Sequence, residues 1–542
     1  MNDSEKHVPY PLIILIVCFF AFFANNSFIP ADLMEARNLA TAQEMVTQGN
    51  YLAPTLNGEL RLEKPPLPTW IAACIEIVSP DNISAQRSAA GLAATIMVFF
   101  LYLLVIELTE KKLYGLIAAL VMASSYNVIM MGRTATWDIY CHSFMLGAIY
   151  FFVKALSKEG PQWTKMIISG LLMGLSFLGK GPISFYALLL PFLISYFIIY
   201  RPGLKGKTGS IITMILVCIV ISLWWPTYIY LFNRDWGMYV AGKESSSWLN
   251  HNIRPWYYYW KFPAEAAIWA LFWITSLVWF YWKKRFRIKK VYLFSIIWTL
   301  SSLVLLSLFP EKKTRYLLPL LIPGALNIAS YIYYCITNEM KQREKLIFKI
   351  NISIILVILV SFPGVIYFMF LQKGYMSIGL FVVISLLSLI LAALLFYFTF
   401  KRINNYNYVF YSIVAFMVLV EGLCFIPVGK LFINDDRHSI KEIRNMGELD
   451  SLPFYYVDGE EMRMELIYES NKIIRPLDIK NDTLMHSKLP FALVSSSAPD
   501  SALKTSEVVI QQIGIYDNNW RKRESKRYNP GLVRYVSIIK TK

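Results

Sequence analysis

Residues 30–70 read PADLMEARNLATAQEMVTQGNYLAPTLNGELRLEKPPLPTW. This stretch is too polar to cross a bilayer, yet apolar runs at 11–29 and 84–108 flank it. Each run is close to the length of about 20 apolar residues that spans the hydrocarbon core. The stretch therefore reads as an ordered loop at one face of a membrane, occupying about 30–83. Within it, Ala36, Leu39, Ala40, Ala42 and Met45 offer an apolar side and Glu35, Arg37, Gln43 and Glu44 a polar one, which predicts an amphipathic helix over 35–48. Such a helix can lie along the interface, with Trp70 as a further anchor. The loop closes on Glu63-Lys64-Pro65-Pro66, where two prolines fix the backbone beside an adjacent charged pair.

Working outward, further apolar runs fall at 113–131, 139–156, 165–181, 183–200, 208–232, 263–282, 291–309, 316–336, 347–371, 376–400 and 408–427. They predict a polytopic α-helical membrane protein of about 13 transmembrane helices. Composition agrees: 56% of the 542 residues are hydrophobic and 16% charged, against about 25% charged in a soluble protein. The net charge of +17 falls in short clusters between apolar runs, such as KKRFRIKK at 283–290, and not on one polar face. That distribution excludes a nucleic-acid binder and, by the positive-inside rule, places the N-terminus in the cytoplasm and the C-terminal region outside. The six cysteines lie in or beside apolar segments without a CxxC pair, and read as buried thiols.

The outer loops also carry charge, and there it is unusual. Arg133 and Asp138 stand where one span ends and the next begins. Lys180 lies in LGKGP between two spans, and Lys312, Lys313, Arg315 and Tyr316 lie in EKKTRYLLP. A long loop near 233–262 adds Glu244, His251, Arg254 and the aromatic run WYYYW. Cations on the side the topology rule leaves poor in them point to a bound anion, and a lipid-linked phosphate suits them.

At these residues the chain resembles the GT-C glycosyltransferases, nearest to the bacterial aminoarabinose (4-amino-4-deoxy-L-arabinose) transferase and protein O-mannosyltransferase-like group. The resemblance rests on the E-x-R…EM…GN…P…NG…EKPP block, on Arg133…Asp138, on the KGP turn at 180–182 and on RYLLP at 315–319. It implies a GT-C transmembrane catalytic domain over 1–428, a polyprenyl (undecaprenyl) phosphate sugar donor, and a lipid or protein acceptor, such as lipid A, approaching from the periplasmic side of a bacterial inner membrane. It further implies an acid in the first outer loop that is catalytic or orients the acceptor. Glu35-Ala36-Arg37 matches the family's D-E-x-R-type motif, but Met34 occupies the place of its leading Asp. Asp32 and Glu35 both stay open as that acid, with Asp138 a further catalytic candidate. Arg37, Lys64, Lys180, Lys313, Arg315 and Tyr316 are the residues expected at the donor phosphate. Glu63, in the EKP motif, and His251, in a loop like the family's H-x-x-P-[FW], are the expected ligands of a divalent metal such as zinc. A monomer is expected.

The chemistry is consistent with those residue types. Cleaving the C1–O bond of a sugar phosphate passes through an oxocarbenium-like state and expels a phosphate. Fixed cations hold that charge without a strong acid. A single displacement inverts the anomeric centre, and a hydroxyl acceptor gains from a carboxylate base where an ionised phosphate acceptor does not. A transferase acting on protein Ser/Thr is the alternative within the class. A lipid or sugar transporter is the rival outside it, but transporters gather polar groups at mid-membrane. No Gly-rich nucleotide-binding or Walker pattern occurs. After 428 the composition turns polar, and strand-like runs at 454–457, 472–477, 491–496, 507–516 and 532–539 alternate with helical stretches near 438–447 and 460–469. A small periplasmic α/β domain over 429–542 follows.

Overall fold

The computed structural model describes residues 9–401, 405–432, 434–499, 503 and 508–542, the side chains of 247–249 aside. Two compact units emerge, one of residues 1–26, 63–67 and 87–428, the other of residues 27–62, 68–86 and 429–542.

The first unit is helical. Among the described residues, eight helices are long and apolar enough to cross a membrane, or nine when Lys112–Ala123 and Tyr126–Gly132, bent by 68°, count as one span. The sequence runs number about 13, and the remaining ones fall on shorter, bent or broken helices. Tyr10–Phe23 and Phe185–Ile199 are apolar helices of less than spanning length, and Trp163–Lys180 is an 18-residue helix. The run at 263–282 is broken: a 3-10 segment Trp256–Trp269 contains Ala267 at φ 53°, and short helices Ala270–Ser276 and Trp279–Trp282 follow. The loop expected at 233–262 is largely helical too, with a helix at Arg234–Asn250.

Burial sorts these helices. Thr208–Phe232, Gln342–Leu371 and Ile378–Lys401 are only 22% buried and present Leu, Ile and Val outward, as lipid-facing helices do. Trp137–Leu156 and Thr314–Thr337 are 83% buried. The two innermost spans are those that carry Asp138 and Arg315-Tyr316. Four of the six cysteines are buried, whereas Cys74 is exposed and Cys218 half-buried.

The second unit joins two distant parts of the chain, and here the domain boundary differs from the sequence expectation. Residues 27–62 and 68–86, most of the first outer loop, cluster with 429–542 and not with the helical unit. Strands β1 (Thr55–Leu56) and β2 (Glu59–Leu60) form a hairpin over Asn57 (φ 58°) and Gly58 (φ 78°). Two successive positive φ values are the geometry that an Asn-Gly turn serves. The remaining strands are β3 (Phe454–Val457), β4 (Ile474–Leu477), β5 (Phe491–Ser495), β6 (Val508–Asp517) and β7 (Val533–Thr541). They form a mixed sheet in the order β4-β3-β5-β7-β6, parallel between β4, β3 and β5 and antiparallel through β7 to β6. Each matches a run expected from sequence, though Glu507, first of the fourth run, lies outside the described residues. Asn57 clamps the hairpin to edge strand β4: its side-chain amide donates to Ile474 O and its side-chain carbonyl accepts from Ile474 N, both at 2.7 Å. Ala40 of the amphipathic helix enters the apolar core beneath this sheet with Ile440, Leu466, Ile474 and Val536. That burial explains why the helix Leu33–Gln48 needs an apolar side.

Candidate functional site

In the helical unit the site begins with a close helix–helix approach. Gly179 sits where a Cβ would meet Cys141 at 3.0–3.2 Å, so Trp163–Lys180 can lie directly against Trp137–Leu156. Ser176 Oγ donates to Cys141 O at 2.6 Å in the same seam. This contact brings the last residue of one helix, Lys180, to the first turn of the other, where Asp138 lies. Each charge also matches its helix-end dipole, a cation at a C-terminus and an anion at an N-terminus. The Lys180 ammonium donates to Asp138 Oδ1, and the pair is buried, with side chains 7% and 2% exposed. Gly181 ends the helix at φ 76°, ψ −153°, a conformation nearly restricted to glycine, which accounts for the KGP turn.

Tyr316 is where the outer-loop cations converge. Lys180 lies 5.1 Å from its ring centroid, Lys313 5.8 Å and Arg315 5.8 Å. Arg315 also acts electrostatically on both Asp138 and Lys180. Glu311 partly balances the cluster, pairing with Lys313 at 2.5 Å. The segment carrying His251 is laced to this stretch: Ile253 bridges Glu311, Lys312 N donates to Asn252 O at 3.3 Å, and Arg254 N donates to Pro310 O at 3.2 Å. Burial lowers the Lys312 ammonium's proton affinity below that of an ordinary lysine.

The EKPP residues form a second ionic group. Lys64 Nζ lies 2.7 Å from Glu244 Oε2, and Lys243 Nζ lies 3.6 Å from Glu63 Oε1. The Glu-Lys step at 63–64 thus meets a Lys-Glu step at 243–244 on the helix Arg234–Asn250. Lys243 and Glu311 escaped the sequence reading, and Glu244 was noted there without a role. The available signal was complementary order, since each acid stands beside a cation that pairs with, or is charge-matched to, the other segment.

The expected metal ligands do not assemble a donor set. His251 is exposed, Glu63 faces an ammonium on one oxygen, and no group of three or more His, Cys, Asp or Glu side chains comes together among the described residues. A bound zinc takes about four ligands, three of them from protein in a catalytic site.

In the second unit, Asp32 is the N-cap of Leu33–Gln48. Its Oδ1 accepts from Met34 N at 2.9 Å and Glu35 N at 2.8 Å, with an extended backbone at ψ 171°. It is exposed and does not stack on Glu35 as two helical residues three apart would. Glu35 is fully buried, and Arg37 is half-buried with its carbonyl accepting from Arg61 Nη1 at 3.1 Å. The EM…NG part of the motif has a structural reading. The Glu44 carboxylate accepts from Thr55 Oγ1 at 2.9 Å, from Gly58 N at 3.1 Å and from Asn57 N, so it organises the hairpin turn. Burial together with the carboxylates of Glu469, Glu35, Asp81 and Glu76 pushes the Tyr468 phenol above its ordinary range. Arg133, read from sequence as charge at a span end, is fully buried. It donates to Phe20 O, Ala21 O and Ala24 O at 2.5–2.8 Å, with its guanidinium 4.3 Å from the Phe425 ring centroid.

Residues 63–225 match the family model described as dolichyl-phosphate-mannose-protein mannosyltransferase. A Pseudomonas fluorescens protein named undecaprenyl phosphate-alpha-4-amino-4-deoxy-L-arabinose arabinosyl transferase 1 is 26% identical over 334 residues, 58% of this chain and 56% of that one. The enzyme of the same activity name from Shewanella sediminis is 25% identical over 326 residues, 57% of this chain and 56% of that one. The chain therefore matches little more than half the length of these relatives. The crystal structure of ArnT from Cupriavidus metallidurans bound to undecaprenyl phosphate superposes with a TM-score of 0.67 at 14% identity, over 98% of this chain and 97% of that one. Over 98% of its length the chain shares the fold of ArnT, and over more than half its length it is similar in sequence to the aminoarabinose transferases.

Proposed function

We propose that the protein is an inverting glycosyltransferase that moves a sugar, an aminoarabinose-like pentose in the leading case, from a polyprenyl phosphate to an acceptor such as lipid A. The observation that carries this reading is the convergence of Lys180, Lys313 and Arg315 on Tyr316 in a fold shared with a protein crystallised with undecaprenyl phosphate. In the proposed step an acceptor oxygen attacks C1 of the sugar, the bond from C1 to the phosphate oxygen breaks, and its electrons leave on the phosphate. Lys180, Lys313 and Arg315, with Lys64, stabilise the charge that develops there. The Asp138–Lys180 pair fixes the lysine and moderates the field of the cations around it. Asp138, engaged by Lys180, serves better as an electrostatic partner than as a proton acceptor. An ionised phosphate acceptor brings no proton to remove. A hydroxyl acceptor gives its proton to a carboxylate, for which Glu35 is the better candidate, since the Asp32 carboxylate caps the helix Leu33–Gln48. We place the protein in the bacterial inner membrane with the N-terminus cytoplasmic and the C-terminal unit periplasmic, the orientation its loop cations favour.

The match of 63–225 to the mannosyltransferase model supports a second reading, transfer to protein Ser/Thr. One experiment serves both. Lipids from cells with and without the protein are compared by mass spectrometry for polyprenyl-phosphate sugars, and lipid A and periplasmic proteins for the matching mass increment. Donor accumulation with loss of the increment from lipid A supports the first reading, and loss from protein supports the second. No donor accumulation in a cell lacking all relatives argues against both.

A further inference from the structure

We propose that the loop Trp520–Tyr528, between β6 and β7, binds the phosphate headgroups of anionic membrane lipids. Its sequence, WRKRESKRY, holds Arg521, Lys522, Arg523, Lys526 and Arg527 against the single acid Glu524. Lys522, Arg523, Lys526 and Arg527 are exposed. Among the described residues none of the five cations forms an ion pair with a carboxylate.

Like charges this dense repel, yet the base of the loop is tightly tied. Asn519 Nδ2 donates to Asn529 O and Asn529 N donates to Asn519 Oδ1, both at 2.9 Å. Asp517 accepts from Asn519 N at 3.0 Å, from Asn519 Nδ2 at 2.8 Å and from Tyr528 OH at 2.7 Å. Asp517, Asn518 and Asn519 are buried. A hydrogen-bonded neck thus holds the cations together, an arrangement that costs stability unless an anion meets them.

The position of the loop selects the anion. The Arg521 guanidinium lies 4.3 Å from the Phe432 ring centroid, and Asn434 Nδ2 donates to Arg521 O at 3.4 Å. Arg437 lies 3.6 Å from the Trp520 ring centroid. Phe432 follows Lys430, the last residue of the span Tyr406–Lys430, by two positions, a reach of about 7 Å at most. The root of the loop is therefore held at the chain's exit from the bilayer. Trp520 and Tyr528, at its two ends, are the residue types that favour the headgroup level. A basic cluster beside a span attracts anionic headgroups by about fivefold in affinity per cation.

The test uses the full chain in neutral detergent, with retained phosphatidylglycerol and phosphatidylcholine counted by native mass spectrometry. The wild type is expected to retain phosphatidylglycerol in preference. Lys522→Gln/Arg523→Gln/Lys526→Gln/Arg527→Gln is expected to lower that retention roughly tenfold or more, and Lys522→Arg/Lys526→Arg to preserve it. Retention is also expected to fall as salt rises. Unchanged retention in the fourfold variant overturns the proposal. So does displacement of the lipid by millimolar inorganic phosphate, which assigns the loop to a soluble anion. Should the fourfold variant melt lower without lipid, the salt titration of the wild type decides, and retention indifferent to salt overturns the proposal.

Discussion

Lys64 and Glu244, 180 positions apart in sequence, meet at 2.7 Å, while their neighbours Glu63 and Lys243 meet in the opposite sense at 3.6 Å. These side chains are partly exposed, so each pair contributes only about 0.2–1 kcal/mol. A contact that weak yields readily to a phosphate, which offers Lys64 more negative charge than a carboxylate does. Lys64→Gln is expected to lower kcat/KM for the polyprenyl-phosphate donor about 100-fold, the scale of one lost oxyanion donor. Glu244→Gln, which removes the competing carboxylate, is expected to lower the KM for the same donor severalfold. Steady-state kinetics on the purified protein reads both, and a raised KM in Glu244→Gln contradicts competition.

The buried Asp138–Lys180 pair makes a sharper prediction. Replacing one member leaves the other's charge without its partner, at about 3–5 kcal/mol. Asp138→Asn alone should therefore lower the melting temperature markedly. Asp138→Asn/Lys180→Met should recover much of the stability while remaining inactive in sugar transfer. Thermal melting beside an activity assay separates these outcomes, and an active double variant removes Lys180 from the donor site.

Asp32 and Glu35 are separable by the same logic. Asp32→Ala removes an N-cap and is expected to cost about 1 kcal/mol of stability, with Asp32→Ser restoring it. Transfer by folded Asp32→Ala should stay near the wild-type rate. Glu35→Gln, at a fully buried position, is expected to abolish transfer to a hydroxyl acceptor and to spare an ionised phosphate acceptor. Paired assays with the two acceptor types decide whether the acid acts as a base.

Gly181→Ala tests the KGP turn. A side chain at φ 76°, ψ −153° costs on the order of 1–3 kcal/mol, and relief requires moving Lys180. Transfer should fall more than stability does. Equal loss of both would make the glycine a purely structural residue.

Much of this was legible in the sequence, because hydropathy runs and strand alternation are local signals. Among the described residues, the five strands after residue 428 lie where the runs place them. What escaped depends on contacts between distant segments. Asp32 and Glu35 look equivalent in sequence, and only the entry angle of the helix makes the first a cap. Glu44 looks like a polar surface residue until the Asn57-Gly58 turn folds back onto it. The outer loop's place with the C-terminal sheet rests on Asn57 and Ile474, more than 400 residues apart. The run at 263–282 looks like a span because hydropathy does not register a backbone break at Ala267.

Arg133 has a consequence for how the chain is assembled. An arginine entering the bilayer alone is disfavoured by about 2.5–3.5 kcal/mol on insertion scales. Its hydrogen bonds go to the carbonyls of Phe20, Ala21 and Ala24, where the first apolar helix ends in a π-helical turn with free acceptors. The first helix must therefore wait in the membrane for a segment synthesised more than 100 residues later. Until Arg133 is made, the carbonyls of Phe20, Ala21 and Ala24 lack this donor, so the final packing of the first helix follows synthesis of the segment that carries Arg133.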